Sequence, residues 1–192
     1  MSYCVNEVNE WGKNKATINI PEEMESFSIG IAKYRYGAVY RTVFIALKDG
    51  TIIKWWDDPD TTESYCHYTT YHAMLKEIYM YKREGAEIQF KNVPEHVQNE
   101  LKNMLKTPQQ LVARVRFWFK PETEPKFNRS PWSCDIYYDT VVGKYYEYCV
   151  PRKPFPEWIK EVKVELYNKG FKNDVEVLLK LYRYYGAKIE YT

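Results

Sequence analysis

Two stretches of this chain repeat one pattern, and that repetition restricts the folds open to it more than any other feature. Residues 80–91 read Met-Tyr-Lys-Arg-Glu-Gly-Ala-Glu-Ile-Gln-Phe-Lys, and residues 181–192 read Leu-Tyr-Arg-Tyr-Tyr-Gly-Ala-Lys-Ile-Glu-Tyr-Thr. A tyrosine, a basic residue, Gly-Ala, a charge, isoleucine and an aromatic recur in the same order. Each copy has the signature of a helix ending at a glycine (Gly85, Gly186), followed by a short alternating strand.

The stretches upstream also correspond. Val43–Leu47 and Thr51–Trp56 flank Asp49-Gly50, a two-residue hairpin signal, and Cys134–Asp139 and Lys144–Val150 flank Val142-Gly143. A further strand precedes each hairpin, Ser28–Tyr36 in the first half and Leu111–Lys120 in the second. Each half therefore predicts a β-β-β-α-β unit. The first helix begins near Thr70, and the last is marked by Asn173 as N-cap with Glu176 three residues on. Two more helices are expected. One is Glu95–Lys106 after Pro94; the other is Pro156–Asn168, with Ile159, Val162 and Leu166 on one face.

The fold class implied is α+β: antiparallel sheets, about four helices and an internal duplication. Residues 1–25 form a polar N-terminal segment with one strand at Ala16–Ile20. Residues 26–106 form the first repeat with its connecting helix, and residues 107–192 the second. Halves this short bury only a modest core alone, so they are expected to pack as one globular unit.

Composition excludes several classes. The chain has 192 residues, 45% hydrophobic and 28% charged, which suits a folded domain and not a disordered or fibrous one. No apolar run approaches the roughly 18–20 residues of a membrane span. The N-terminus has neither the basic nor the apolar region of a signal peptide. A formal net charge of +2 argues against function through bulk charge. The charge divides unevenly, with 13 basic and 15 acidic groups in residues 1–106 and 15 and 11 in residues 107–192.

Four scattered cysteines and no CxxC pair predict a cytoplasmic protein with free thiols. Cys134 and Cys149 face each other only if the second hairpin turns through four residues, Thr140–Gly143. A two-residue turn would set Cys149 opposite Ile136. The chain has 19 Tyr, 8 Phe and 6 Trp against only 8 Gly, and it is rich in Lys and Glu. That style is expected of a protein from a thermophilic archaeon or its virus.

Three candidate sites follow. In Leu111–Lys120, alternation sets Ala113, Val115, Phe117 and Phe119 on one face and Arg114, Arg116, Trp118 and Lys120 on the other. Laid on this strand through the repeat, Ser28–Tyr36 adds Lys33 and Arg35 to the polar face and Ala32, Tyr34 and Tyr36 to the apolar one. The Pro-rich segment that follows supplies Lys126 and Arg129. Cations neutralise phosphates and exposed rings stack on bases, so this face suits DNA or RNA. The plain alternative is the solvated side of a half-exposed strand.

The second candidate is the stretch after the first hairpin: Asp57, Asp58, Asp60, His67 and His72, with Glu63 and Cys66 between. These are ligand types for a divalent metal in a nuclease or hydrolase, although no metal-site spacing is matched. The alternative is a solvated loop. The third candidate is the tyrosine-rich second hairpin, whose strand Lys144–Val150 carries aromatics on both faces and so calls for a second layer or a homodimer. GxGxxG, phosphate-loop and GxSxG motifs are absent. The leading expectation is a non-enzymatic nucleic-acid-binding protein without cofactor or membrane partner. The metal-dependent enzyme and the aromatic self-assembly protein are the alternatives.

Overall fold

The computed structural model describes residues 2–35, 37–117, 133–150, 163–168, 172–184 and 187–192. The chain divides into two compact units, Met1–Lys106 and Thr107–Thr192. The fold is α+β and dominated by antiparallel sheet. Among the described residues there are three α-helices, not four. None of them is long and apolar enough to cross a membrane.

The first unit opens with a hairpin, β1 (Cys4–Val8) and β2 (Asn14–Ile18), where only one strand at Ala16–Ile20 was expected. The main elements are β3 (Glu25–Arg35), β4 (Ala38–Leu47), β5 (Ile52–Asp58), β6 (Glu63–Thr69), α1 (Tyr71–Arg83), β7 (Glu87–Lys91) and α2 (Glu95–Lys106). The sheet runs β6-β5-β4-β3-β7, with antiparallel neighbours throughout. Because β6 and β7 are therefore parallel and lie at opposite edges, α1 has to cross the sheet between them.

The second unit contains β8 (Gln110–Phe117), β9 (Ser133–Asp139), β10 (Lys144–Val150), β11 (Lys163–Asn168), α3 (Lys172–Tyr184) and β12 (Ala187–Tyr191). Its sheet runs β11-β10-β9-β8-β12, again antiparallel, so α3 connects the two edges as α1 does. Each five-stranded sheet thus has four strands before its crossover helix, where three were expected. The expected helix Pro156–Asn168 is corrected by β11. Lys163-Val164-Glu165-Leu166 alternates with period two, and the backbone pairs with β10 from Lys144↔Asn168 to Cys149↔Lys163. The rest of that predicted helix lies outside the described residues.

Alternation decides what each sheet buries. In the first unit Phe27, Ile29, Ile31, Phe44, Ala46 and Ile52 share the face under α1 and α2, packed on Met74, Leu75, Ile78, Val97 and Leu101. Full burial of such large side chains contributes roughly 1.5–3 kcal/mol each. The opposite face carries Ile45, Leu47, Ile53, Trp55 and Cys66 and is covered by Tyr3, Cys4, Ala16 and Ile18 of the hairpin region. In the second unit Ala113, Val115, Cys134, Ile136 and Cys149 pack beneath Val175, Leu179 and Tyr182 of α3.

Local signals act as their chemistry requires. Thr70 caps α1, its hydroxyl accepting from the Ala73 N–H at 3.2 Å. The first hairpin turns through three residues rather than two. The Leu47 N–H bonds the Thr51 carbonyl, and Gly50 takes φ +90°. The second hairpin turns through Thr140–Gly143, with the Gly143 N–H donating to the Asp139 carbonyl at 2.8 Å and the Asp139 carboxylate accepting from Val141 and Val142. This sets Cys149 directly opposite Cys134.

The cysteines correct the expectation of free thiols. Cys134 is bonded to Cys149 and Cys4 to Cys66. Such bonds persist in oxidising compartments and in the cytosol of hyperthermophiles. Thiol titration in denaturant without reductant should find no reactive group, and four after reduction. One reactive pair before reduction would remove one of the two bridges.

The Tyr71 hydroxyl at the start of α1 donates to Glu100 of α2. Burial first, then the bond to Glu100 and its charge, push the phenol up to about 12. The folded value lies above the unfolded one of about 10, so this contribution to stability is complete below pH 10 and is lost as pH rises through 12. Tyr71→Phe should flatten that alkaline loss in denaturation curves and remove one high-pH step from the phenolate absorbance titration.

Candidate nucleic-acid interface

In β8, Ala113 and Val115 are buried, Arg114 is exposed and Arg116 is half-buried, as alternation requires. The Arg116 guanidinium donates to Asp135 at 2.9 Å across the sheet and to the Val115 carbonyl at 3.1 Å. Arg114 stands opposite Asp135 on β9 and Glu190 on β12, and Lys188 stands opposite Arg116. Three cations and two carboxylates therefore share this side of the β8–β12 region. Arg114 and Lys188 make no ion pair among the described residues. Tyr137, half-buried on the same side, meets Tyr148 edge-on at 5.6 Å between ring centroids. Trp118, Lys120, Lys126 and Arg129 lie outside the described residues.

The first unit does not extend this face as expected. Lys33 shares the helix-covered face with Ile29 and Ile31, and its ammonium pairs with Glu84 just after α1 at 2.7 Å. Tyr34, expected on the apolar face, is 73% exposed. Arg35 is the last residue of β3 and pairs in register with Ala38. The cause is a one-residue error in relating the halves. Sheet pairing makes Ile29 the counterpart of Ala113, through Phe90 on β7 and Tyr191 on β12. Lys33 then corresponds to Phe117 and not to Arg116, and a shift of one residue reverses every side chain in a strand.

The acidic and histidine stretch is also not a loop. Asp57 and Asp58 end β5, residues 59–62 make the turn, and His67 lies within β6. Asp57 accepts from the Arg41 N–H at 2.9 Å, Asp58 from the Asp60 N–H at 3.0 Å, and Asp60 from the Tyr40 hydroxyl. The Tyr65 hydroxyl, then the Asn14 N–H, hold Glu63 below the usual carboxylate range, and the same bond raises the Tyr65 phenol. His67 rests edge-on against Trp56 at 4.8 Å, while His72 opens α1. Asp57, Asp58, Asp60, His67 and His72 bring no three ligand atoms within 4.8 Å of one another. Among the described residues only Cys134, Glu147 and Cys149 do so, and those two cysteines are bonded to each other.

One feature escaped the sequence reading. The strand next to the edge in each sheet, β5 in the first unit and β10 in the second, places a charged side chain under the crossover helix at the same sheet position. Lys54 pairs with Glu77 of α1 at 2.9 Å, and Glu147, fully buried, accepts from the Tyr182 hydroxyl of α3. The available signal was a single charge in mid-strand, Lys54 after Ile52-Ile53 and Glu147 between Tyr146 and Tyr148.

Compared with protein families, characterised proteins and solved structures, the chain matches none. It is an α+β protein of two units with the same strand order.

Removing the hydroxyl that satisfies a buried carboxylate exposes the cost of burying it. Tyr182→Phe should lower stability by about 1–3 kcal/mol in chemical denaturation. Val177→Ala, on the exposed side of the same helix, should change it far less. Equal effects from the two would show that the Glu147 contact contributes nothing.

Proposed function

We propose that the protein is a non-enzymatic binding protein that holds a nucleic-acid strand against the β8–β12 face of its second unit. One observation carries this reading: Arg114, Arg116 and Lys188 stand as neighbours on the solvent side of that sheet. Arg116 is already oriented by Asp135. Arg114 and Lys188 have no competing carboxylate at ion-pair distance among the described residues, so a phosphate backbone can engage both. The half-exposed Tyr137 ring, on the same side of the sheet on β9, offers a stacking surface.

We also propose that the two units descend from one duplicated ancestor. The common strand order, the crossover helices of equal length, the Gly-Ala step after each helix and the charge that β5 and β10 each place under the helix support this reading. Duplication leaves one copy free to acquire cations where the other keeps small residues, Gly30 and Ala32.

Fluorescence anisotropy with labelled single-stranded DNA and RNA is the test. Binding should weaken as salt rises, with a slope of about 0.7 per neutralised phosphate in a log–log plot. Arg114→Ala with Lys188→Ala should reduce both affinity and slope. No binding at low salt, or an unchanged slope in the double variant, would overturn the reading.

A further inference from the structure

The two edges of the first unit's sheet are finished differently. At β6, the Asn6 side chain occupies the outward backbone of Cys66, its amide donating to the Cys66 carbonyl at 2.9 Å and its oxygen accepting from the Cys66 N–H at 3.1 Å. The Cys4–Cys66 disulfide fastens that cover in place. At the other edge, β7 pairs with β3 alone among the described strands, and four of its five residues are exposed. It has no proline and no bulge, and such an edge is a template for another strand.

The sequence of β7 selects which strand. Glu87-Ile88-Gln89-Phe90-Lys91 is its own complement when read antiparallel about Gln89. Glu87 of one chain then faces Lys91 of a second, and Ile88 faces Phe90. Parallel self-pairing sets Glu87 against Glu87 and Lys91 against Lys91, which is unfavourable. Lys91 is available for the antiparallel partner: it is 70% exposed and touches Glu25 only at 3.7 Å.

The two faces of β7 agree on this arrangement. Ile88 and Phe90 lie opposite Ile31 and Ile29, on the helix side, whereas Glu87, Gln89 and Lys91 point the other way. On the helix side a cavity of about 210 Å³ lies between α1, α2 and β7, lined by Ile78, Ile88, Phe90, Leu101 and Leu105. Phe90 remains 47% exposed at its mouth. Antiparallel pairing about Gln89 brings Ile88 and Phe90 of both chains together over the two cavities, while charges of opposite sign meet on the far face.

We propose that β7 is a homodimer interface, at which the sheets of two copies join edge to edge about a two-fold axis through Gln89. The second copy of this chain is the one occupant that supplies both the charge order and the apolar order. The contact is isologous and closes at two chains. It involves the first unit alone and stands apart from the nucleic-acid reading.

Sedimentation velocity across the micromolar range tests this on the full chain. The wild type should sediment as a dimer. Glu87→Lys and Lys91→Glu should each weaken the dimer at least tenfold, since each sets like charges opposite one another. The double reversal, Glu87→Lys with Lys91→Glu, should restore it. Thermal unfolding by far-ultraviolet circular dichroism, at a concentration low enough for the wild type to be monomeric, should be unchanged in both single variants, because both side chains are exposed. A wild-type monomer at hundreds of micromolar, single variants that dimerise normally, or a double variant that stays monomeric would each overturn the proposal. So would dissociation by Lys188→Glu on β12 with no effect of the β7 changes.

Discussion

A crossover helix that joins the two edges of one sheet organises both units. Each fourth strand must reach a fifth that runs parallel to it at the opposite edge of the sheet. Four inter-strand spacings amount to about 19 Å, and a 13-residue helix extends about 20 Å. Because those two strands are parallel, the helix must also travel back along their length and so crosses the sheet obliquely. Because the helix packs on one face of the sheet, whatever the strands place beneath it must be apolar or be satisfied from above. Lys54 finds Glu77 there, and Glu147 finds Tyr182.

With one face committed to the helix, variation falls on the other. The first unit closes much of that face with the N-terminal hairpin, which covers Ile45, Leu47, Ile53 and Trp55. In the second unit, Arg114 and Arg116 occupy the places that Gly30 and Ala32 hold in the first. The same backbone thus supports a sealed face in one unit and a charged face in the other. Any recognition function is more readily hosted by the second, since cations there add to the surface without disturbing the helix-packed core.

Much of this was legible in the sequence, and each failure has its own physical cause. The bounds of α2 and β10, the start of α1 and the Cys134–Cys149 register under a four-residue turn all follow from local signals: a proline before a helix, a threonine cap, an alternating run. Of the strands that were missed, β1 belongs to the N-terminal hairpin, while β6 and β11 occupy the same place, fourth in chain order within the five-stranded sheet and at its edge. In β6, Glu-Ser-Tyr-Cys-His-Tyr-Thr lacks apolar alternation, because its outer side is satisfied by Asn6 and the hairpin rather than by a core. In β11 the period of two was absorbed into a helical reading that borrowed Ile159 and Val162 from upstream. The face of β3 was misread because the halves were related one residue out of register, which reverses every side chain of the strand. Lys33 looks like a solvent residue until Glu84 is known to reach it, and nothing in the local sequence announces that ion pair.

The disulfides show how the two units solve a common problem with different materials. Cys134 and Cys149 occupy the sheet positions that Thr42 and Trp56 fill in the first unit. There the Trp56 ring stacks on Tyr65 at 5.3 Å and receives Lys54 over its face at 4.8 Å. The second unit joins the corresponding pair of inner strands covalently and leaves Glu147 beside the bridge. The first unit spends its own disulfide at the periphery, closing a loop of 62 residues between the hairpin and β6. Loop-closure entropy for that length corresponds to roughly 4 kcal/mol, against about 3 for the 15-residue separation of the other. The larger contribution thus falls on the most easily detached element, a two-stranded hairpin with little independent stability. Keeping that hairpin seated covers both a sheet face and the β6 edge, which leaves β7 as the edge where this sheet can grow.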